Sequence, residues 1–131
     1  MKRLGIIDWG IGGVSIYKLG KERLGGVGVT YFSDTGATPY GKMSRRELRA
    51  RLDRVIEFLK EKGVTHIIIG CNAASTAIGD LVDHGITVVG VIEPAVAFAA
   101  RFKPERLGLI GGRRTVVSGV YRRAFAERGI A

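Results

Sequence analysis

The sequence predicts an α/β fold with an open, mainly parallel sheet flanked by helices. Short apolar runs rich in Ile and Val alternate with amphipathic segments throughout the 131 residues. These runs lack the strict polar–apolar alternation of a half-exposed sheet, so they are typical of parallel strands that helices cover on both faces. The chain also contains 20 glycines but only 3 prolines, which suits a repeated strand–loop–helix design with many tight turns.

Five segments have the composition of buried strands. We predict strands over residues 4–7, 27–32, 66–70, 87–92 and 107–110. The strongest helix signal covers residues 44–62, where Ser44 and Glu47 form a capping box and Gly63 supplies a left-handed C-terminal cap. The apolar stripe of this helix contains Leu48, Leu52, Val55, Ile56 and Leu59.

Two further helices are predicted in the last third of the chain. Pro94 fits the first turn of a helix that continues through residues 95–102, and a final helix covers residues 115–128. Residues 128–131 have the pattern of a helix end, a glycine cap and the first residues of another strand. We therefore expect the chain to stop where its next structural unit begins.

Composition excludes several classes of protein. A single cysteine, Cys71, excludes an internal disulfide and a Cys-based zinc site. It is also consistent with a reducing cytoplasm. The basic, apolar start does not predict a signal peptide, because Asp8 ends the apolar run too early. The longest apolar stretch, residues 85–92, is too short to cross a membrane. We expect a soluble cytoplasmic protein with no membrane partner.

The basic charge balance does not predict a nucleic-acid binder. Lys and Arg number 21 against 12 Asp and Glu, a formal charge of +9. No nucleic-acid motif accompanies the arginines, and aromatic residues are not interleaved as stacking platforms. We interpret most arginines as solvated helix faces whose positive field favours a small acidic ligand.

The polar residues cluster where the predicted strands end. Ligands of open parallel sheets bind beyond the carboxyl ends of the strands, and residues 8–13, 33–35, 39–41, 71–75 and 111–115 follow strands in this way. The glycines after the first strand match no nucleotide motif, since Ser15 occupies the last glycine position of the dinucleotide fingerprint. His66 and His84 lack ligand-spaced partners, so no metal site is predicted.

Cys71 has two interpretations from its surroundings alone. It follows a predicted strand and precedes a predicted helix start, where the helix dipole would stabilise a thiolate and lower the pKa of the thiol. A lone cysteine in an apolar context is equally consistent with a buried structural role. The local sequence leaves both open.

Five motifs carry a resemblance to a known family. DWGIGG (8–13), YFSDT (31–35), PYG (39–41), CNAAS (71–75) and VIEPA (91–95) occur in this order. They closely resemble the N-terminal half of the glutamate racemases, within the aspartate/glutamate racemase superfamily, and residues 111–121 are similar to the next segment of that family. The resemblance implies a cofactor-independent enzyme in which two cysteines, one from each half, flank the α-carbon of the substrate.

The resemblance also implies roles for individual residues. Cys71 would be one of the two catalytic cysteines and Asp8 its acid/base partner, while Tyr40, Gly41 and Asn72 would hold the polar groups of the amino acid. Trp9 and Ala73 occupy two further substrate-binding positions, where the family normally carries serine and threonine.

On this resemblance, residues 1–94 are the N-terminal lobe of a two-lobe racemase. Residues 95–131 are the connecting helix and the first strand–helix unit of a truncated second lobe. The second catalytic cysteine would then belong to a missing half, or two copies would pair as a homodimer and present Cys71 from each to a shared site. The expected reaction interconverts L- and D-glutamate for peptidoglycan synthesis. A binding or regulatory module without catalysis, and a racemase of another acidic substrate, are the alternatives.

Overall fold

A four-stranded, all-parallel sheet forms the centre of the molecule. The computed structural model describes residues 1–131. The strands are β1 (Arg3–Asp8), β2 (Gly28–Ser33), β3 (His66–Ile69) and β4 (Thr87–Gly90), and their spatial order is β2-β1-β3-β4. The register aligns Asp8 with Ser33, and Ile7 with Ile69, so the polar residues after β1, β2 and β3 meet at one edge of the sheet. The predicted α/β fold class is confirmed.

Six helices surround or follow this sheet. They are α1 (Val14–Arg23), α2 (Arg45–Glu61), α3 (Asn72–Ser75), α4 (Ile92–Ala100), α5 (Arg113–Val117) and α6 (Val120–Ala126), with short 3-10 turns at Tyr40–Lys42 and Ile78–Asp80. None of these helices has the length and apolar character needed to cross a bilayer.

Helix α2 begins and ends as its sequence predicts. The Ser44 hydroxyl accepts a hydrogen bond from the Glu47 N–H at 3.2 Å, and the Glu47 carboxylate accepts one from the Ser44 N–H at 2.7 Å. Gly63 follows the helix with φ of +81°, a left-handed conformation that strains other residues. The whole predicted stripe, from Leu48 to Leu59, is buried against the sheet.

The apolar core lies mostly between α2 and the sheet. One cluster joins 12 buried residues contributed by β1, β3, α2 and the segments that follow them. A separate cluster of only 3 buried residues, Ile92, Val96 and Tyr121, holds α4 against α6. The four-stranded unit therefore has a core of its own, and the last 40 or so residues add little to it.

The fifth predicted strand, residues 107–110, is wrong. No strand of the sheet pairs with this segment. Its only ladder-like bonds join Leu107 N–H to the Ala131 carbonyl at 2.7 Å and Ala131 N–H to the Glu105 carbonyl at 3.2 Å. A β-strand requires hydrogen bonds to a neighbouring strand along its length, and here Ala131 alone forms such bonds with this segment.

The final helix predicted over residues 115–128 is also wrong, because two helices occupy this stretch. Gly119 takes a left-handed conformation with φ of +69° and ends the hydrogen-bond ladder of α5. The Ser118 hydroxyl then accepts a 3.3 Å bond from Val120 N–H at the start of α6. The β4 strand likewise ends at Gly90, two residues earlier than predicted, because α4 already begins at Ile92, with Pro94 in its first turn as expected.

Candidate active site

Asp8 ends the central strand β1 and is held by backbone donors. Asp8 is only 3% exposed. Its Oδ1 accepts a hydrogen bond from Trp9 N–H at 2.8 Å, and its Oδ2 accepts one from Gly13 N–H at 2.6 Å. A Cβ atom at position 13 would lie 3.0 Å from the Tyr31 ring and 3.2 Å from Asp8 Cβ, so the close approach depends on glycine. The glycine loop therefore wraps the carboxylate of its own strand.

Tyr31, on the neighbouring strand β2, also lies next to the Asp8 carboxylate. Its hydroxyl donates to the Gly10 carbonyl at 2.9 Å and lies 3.4 Å from Asp8 Oδ2. Burial and the adjacent Asp8 charge raise the pKa of Tyr31, so it stays a donor. Sequence analysis did not identify Tyr31 as a neighbour of Asp8. The signal that could identify Tyr31 is its place beside β1 in a parallel register.

Cys71 follows β3 and lies beside Asp8 at the carboxyl edge. Gly70 precedes it, and a Cβ there would meet side-chain atoms of Ile16 at 3.2 Å and Ile6 at 3.3 Å, so the backbone before the cysteine is tightly packed. The side chain is half-buried. The edge of the sheet thus brings together the two residues expected to act as acid and base, which are 63 positions apart in sequence.

The expected lowering of the Cys71 pKa is wrong. Burial raises the pKa of the thiol, and the negative charge of Asp8 raises it further. Backbone N–H groups of Ala74, Ala73 and Trp9 oppose this by donating toward the sulfur, but they do not outweigh the other two effects. Helix α3 has only 4 residues, which makes its dipole a weak source of stabilisation for a thiolate.

Tyr40 is anchored by the ion pair between Asp34, which is buried, and Arg51, which is partly exposed. It is 1% exposed, and its hydroxyl donates to Asp34 Oδ2 at 2.7 Å. Arg51 of α2 donates to both oxygens of the same carboxylate, at 2.8 and 2.5 Å. Burial opposes ionisation of Asp34, but the bonds from Arg51 and Tyr40 outweigh it and lower the pKa of Asp34. The side chain of Tyr40 is therefore committed to the fold, and sequence reasoning missed Arg51 as its support.

The Tyr40–Lys42 turn exposes backbone groups that a ligand could bind, in place of the Tyr40 side chain. Gly41 is exposed, and the N–H groups of Tyr40 and Gly41 make no hydrogen bond to other backbone atoms. Two adjacent unpaired N–H groups on a rigid turn are suited to binding an anionic group such as a carboxylate.

The remaining three expected site residues occupy different environments. Trp9 packs against the main core, and its indole N–H donates to the Ala37 carbonyl at 2.9 Å. Ala73 is half-buried and packs against the same core. Asn72 is exposed, and its Oδ1 accepts a 2.6 Å hydrogen bond from the hydroxyl of Tyr121 on α6.

A half-buried thiol beside a buried carboxylate can move protons. Neither group makes an ion pair with Lys or Arg, so the pair has no fixed positive partner. No group of three or more His, Cys, Asp or Glu side chains is arranged to hold a metal ion. The raised pKa of the thiol makes its conjugate thiolate a stronger base once formed.

Comparison with known proteins assigns the chain to a family. The family model described as Asp/Glu/Hydantoin racemase matches residues 4–131. The chain belongs to this racemase family. The resemblance found in the sequence is thereby confirmed, with the matching part corresponding to the N-terminal half of glutamate racemases.

Individual members of the racemase family agree in sequence and in fold. Glutamate racemase of Aquifex aeolicus is 38% identical over 130 residues, which are 97% of this chain and 51% of the relative. The structure of glutamate racemase from Aquifex pyrophilus aligns with a TM-score of 0.92 at 37% identity, covering 98% of this chain and 52% of that chain. The Francisella tularensis glutamate racemase, solved in complex with D-glutamate, aligns with a TM-score of 0.86 at 29% identity, covering 97% of this chain and 48% of that chain. The chain spans about half the length of these racemases.

Proposed function

We propose that this racemase-family chain carries one half of a two-base site that removes the α-proton of glutamate without a cofactor. The observation that carries the proposal is that Cys71 lies near Asp8 at the carboxyl edge of the sheet. The Tyr40–Lys42 turn, with the unpaired N–H groups of Tyr40 and Gly41, packs against the helix that follows Cys71. Membership of the racemase family supports the reaction class, and the glutamate racemases among its relatives support the substrate.

In the proposed step, the Cys71 thiolate takes the α-proton. An S–H bond forms as the Cα–H bond breaks, and the electron pair is delocalised into the substrate carboxylate. Asp8 accepts the thiol proton beforehand, which generates the thiolate in a site where burial and charge disfavour it. Return of a proton from the same thiol restores the original configuration, so inversion requires a second acid on the opposite face.

The substrate carboxylate is proposed to bind the N–H groups of Tyr40 and Gly41, and Asn72 to hold the remaining polar groups. Charge developing at that carboxylate is stabilised by donors that the anchored turn already holds in place. Trp9 and Ala73 line the site without the hydroxyls of serine and threonine. Each missing hydrogen bond to a charged substrate group would weaken binding by about 1.5–3 kcal/mol, which leaves a racemase of another acidic substrate as the alternative within the same reaction class.

The second base is proposed to come from outside these 131 residues. Residues 1–94 would form the N-terminal lobe, and residues 95–131 would begin the second lobe of a protein as long as its relatives. Alternatively, a homodimer would present Cys71 of each copy to one shared substrate. The product, D-glutamate, would supply peptidoglycan synthesis in the cytoplasm.

Exchange of the α-hydrogen in heavy water tests the proton-abstraction step with this chain alone. We expect deuterium to enter one enantiomer of glutamate with retention of configuration, because one thiol reaches one face, and we expect Cys71→Ser to abolish it. Binding of glutamate without exchange would favour the alternative of a binding or regulatory module. Exchange that survives Cys71→Ser would contradict the role of Cys71.

A mixed dimer tests the shared site separately. Tagged wild-type and Cys71→Ser chains are combined, the heterodimers are isolated, and racemisation is measured by circular dichroism. The homodimer proposal predicts racemisation only in the wild-type homodimer. Racemisation by heterodimers, or a monomer in sedimentation equilibrium at assay concentration, would eliminate the shared site.

A further inference from the structure

The lining of a small basic cavity contains neither Cys71 nor Asp8. The cavity has a volume of about 230 Å³, is partly open to solvent, and is lined by the start of α2, the turn after α3, and helices α5 and α6. Three arginines line it, Arg45, Arg114 and Arg123, together with Thr76 and Ser118. These side chains come from four separate parts of the chain, so the fold brings positively charged residues together that are distant in sequence.

Two of the three arginines have no counter-charge in the protein. Arg45 donates to both carboxylate oxygens of Asp80, at 2.5 and 2.6 Å, and is thereby neutralised. Neither Arg114 nor Arg123 makes an ion pair. The cavity therefore carries an excess of about two positive charges, held by side chains that cannot lose their protons at physiological pH.

Arg114 also has an unsatisfied donor. Its Nε is buried and has no hydrogen-bond partner, and it is the only buried side-chain nitrogen or oxygen in that state. A buried donor of a charged group is normally paired, because leaving it unpaired costs more than a neutral donor would. Arg123 uses Nη1 to donate to the Ser118 carbonyl at 3.1 Å, which leaves its other N–H groups unused.

The hydroxyls at the cavity are already committed as donors. Thr76 donates to the Ala73 carbonyl at 2.6 Å, and Ser118 donates to the Thr115 carbonyl at 2.8 Å. The available donors are therefore guanidinium groups, which match a ligand that only accepts hydrogen bonds. An anion fits this description, and a neutral polar molecule with its own donors does not.

We propose that Arg45, Arg114 and Arg123 bind a phosphate group, either inorganic phosphate or the phosphate of a monoester. A phosphate monoester carries a charge of about −1.5 to −2, which balances the two unpaired guanidiniums. Guanidinium forks bind phosphate oxygens in pairs. The cavity of 230 Å³ is large enough to admit one phosphate group.

Such a ligand would join the end of the chain to the sheet. Arg45 belongs to α2, which packs on the sheet, whereas Arg114 and Arg123 belong to α5 and α6. Phosphate bound between them would stabilise the contact of α5 and α6 with the rest of the molecule, independently of any reaction at Cys71.

Thermal unfolding with added anions tests the site. The melting temperature of the full chain is measured with inorganic phosphate, glycerol 3-phosphate or acetate, each at an ionic strength matched with NaCl. We expect both phosphates to raise it, because a ligand of the native state stabilises the fold, and acetate to leave it unchanged. The phosphate compound with the lower dissociation constant identifies the source of the phosphate group. An equal rise with acetate, or no rise with either phosphate, would overturn the proposal.

Charge-matched variants locate the binding. Arg114→Gln and Arg123→Gln should each weaken phosphate binding at least tenfold in isothermal titration calorimetry. Arg46→Gln removes the same charge from an exposed residue next to Arg45 and should leave binding unchanged. An equal loss in Arg46→Gln would mean nonspecific attraction. In the wild-type chain, amide NMR shifts confined to residues 45, 76, 114 and 118–123 support the site, and shifts spread over the basic surface contradict it.

Discussion

Two regions of the chain are packed in different ways. The sheet region, residues 1–90, contains a continuous core of 12 buried residues, whereas the terminal region, residues 91–131, holds only 3 in a separate cluster. The terminal region also leaves an open apolar groove of about 840 Å³ between α4, α6 and residues 107–109. Large apolar side chains stay exposed there, among them Phe98 at 60% and Ile110 at 97%. Burial of apolar area, which drives folding, is thus concentrated in the sheet region.

The comparison matters because the candidate active site belongs almost wholly to the sheet region. Asp8, Tyr40 and Cys71 all come from strand ends or turns fixed by the main core. The terminal region makes one side-chain hydrogen bond to an expected site residue, from Tyr121 to Asn72, and α5 also packs against α3 and the Tyr40–Lys42 turn. The sheet region therefore positions Asp8 and Cys71, and the terminal region contacts the turns beside them.

The largest expected effect comes from opening the main core. Leu52 is fully buried in α2, and Leu52→Ala should lower the free energy of unfolding by about 2–5 kcal/mol through lost burial and the cavity left behind. Phe98→Ala in the terminal region removes a larger side chain but should change it by no more than about 0.5 kcal/mol. Urea unfolding followed by circular dichroism measures both. Equal losses would mean that the two regions share one core.

A smaller effect is expected at the contact between the regions. Tyr121→Phe removes the hydroxyl that donates to Asn72 and should lower stability by about 1 kcal/mol. Tyr17→Phe is the matched control, because the Tyr17 hydroxyl makes no hydrogen bond and its ring only packs against Tyr31. The same urea experiment compares the two variants. A Tyr121→Phe protein as stable as Tyr17→Phe would show that this contact does not hold the regions together.

The smallest predicted effect is a pH dependence confined to the sheet region. The buried ring of His84 faces Glu57 at 2.5 Å and Asp53 at 2.8 Å, one carboxylate at each nitrogen. Burial opposes the charged form, but the two carboxylates outweigh it and raise the pKa of His84 above its ordinary 6.5. The protonated ring therefore stabilises the fold below pH 6.5, and this contribution is lost as pH rises through the raised pKa.

Unfolding free energies measured between pH 6 and 9 in wild type, His84→Gln and His66→Gln check this sign. We expect the decline with rising pH to persist in His66→Gln and to flatten in His84→Gln. A decline of equal slope in His84→Gln would assign the pH dependence to other groups.

Local patterns in the sequence predict most of the sheet region. The capping box of Ser44 and Glu47, the buried stripe of α2 and four of the strands are confirmed because each depends on residues close together in sequence. Local patterns do not predict the terminal region correctly. Residues 107–110 have a strand composition but lack a neighbouring strand, and Gly119 breaks a helix whose apolar spacing continues across it. The pairing of strands and the left-handed conformation of a glycine depend on tertiary structure, which the spacing of apolar residues along the chain does not reveal.

The site shows the same division. Motif order predicts that Asp8 and Cys71 belong together, and the parallel register brings them to one edge. The direction of the Cys71 pKa could not be predicted, because it depends on burial and on the distance to Asp8 rather than on the helix that follows. Arg51, Asp34 and Tyr31 act through contacts between strands and α2, which no spacing along the chain reveals.

The pH profile of Cys71 alkylation tests the central claim, that the sheet holds the Asp8 carboxylate beside this thiol. Iodoacetamide reacts with the thiolate, so its rate across pH reports the pKa of the only cysteine. The account predicts a wild-type profile displaced to higher pH than that of an unfolded chain, and a shift toward lower pH in Asp8→Asn, which removes the negative charge and keeps the shape. Identical profiles for wild type and Asp8→Asn would contradict it.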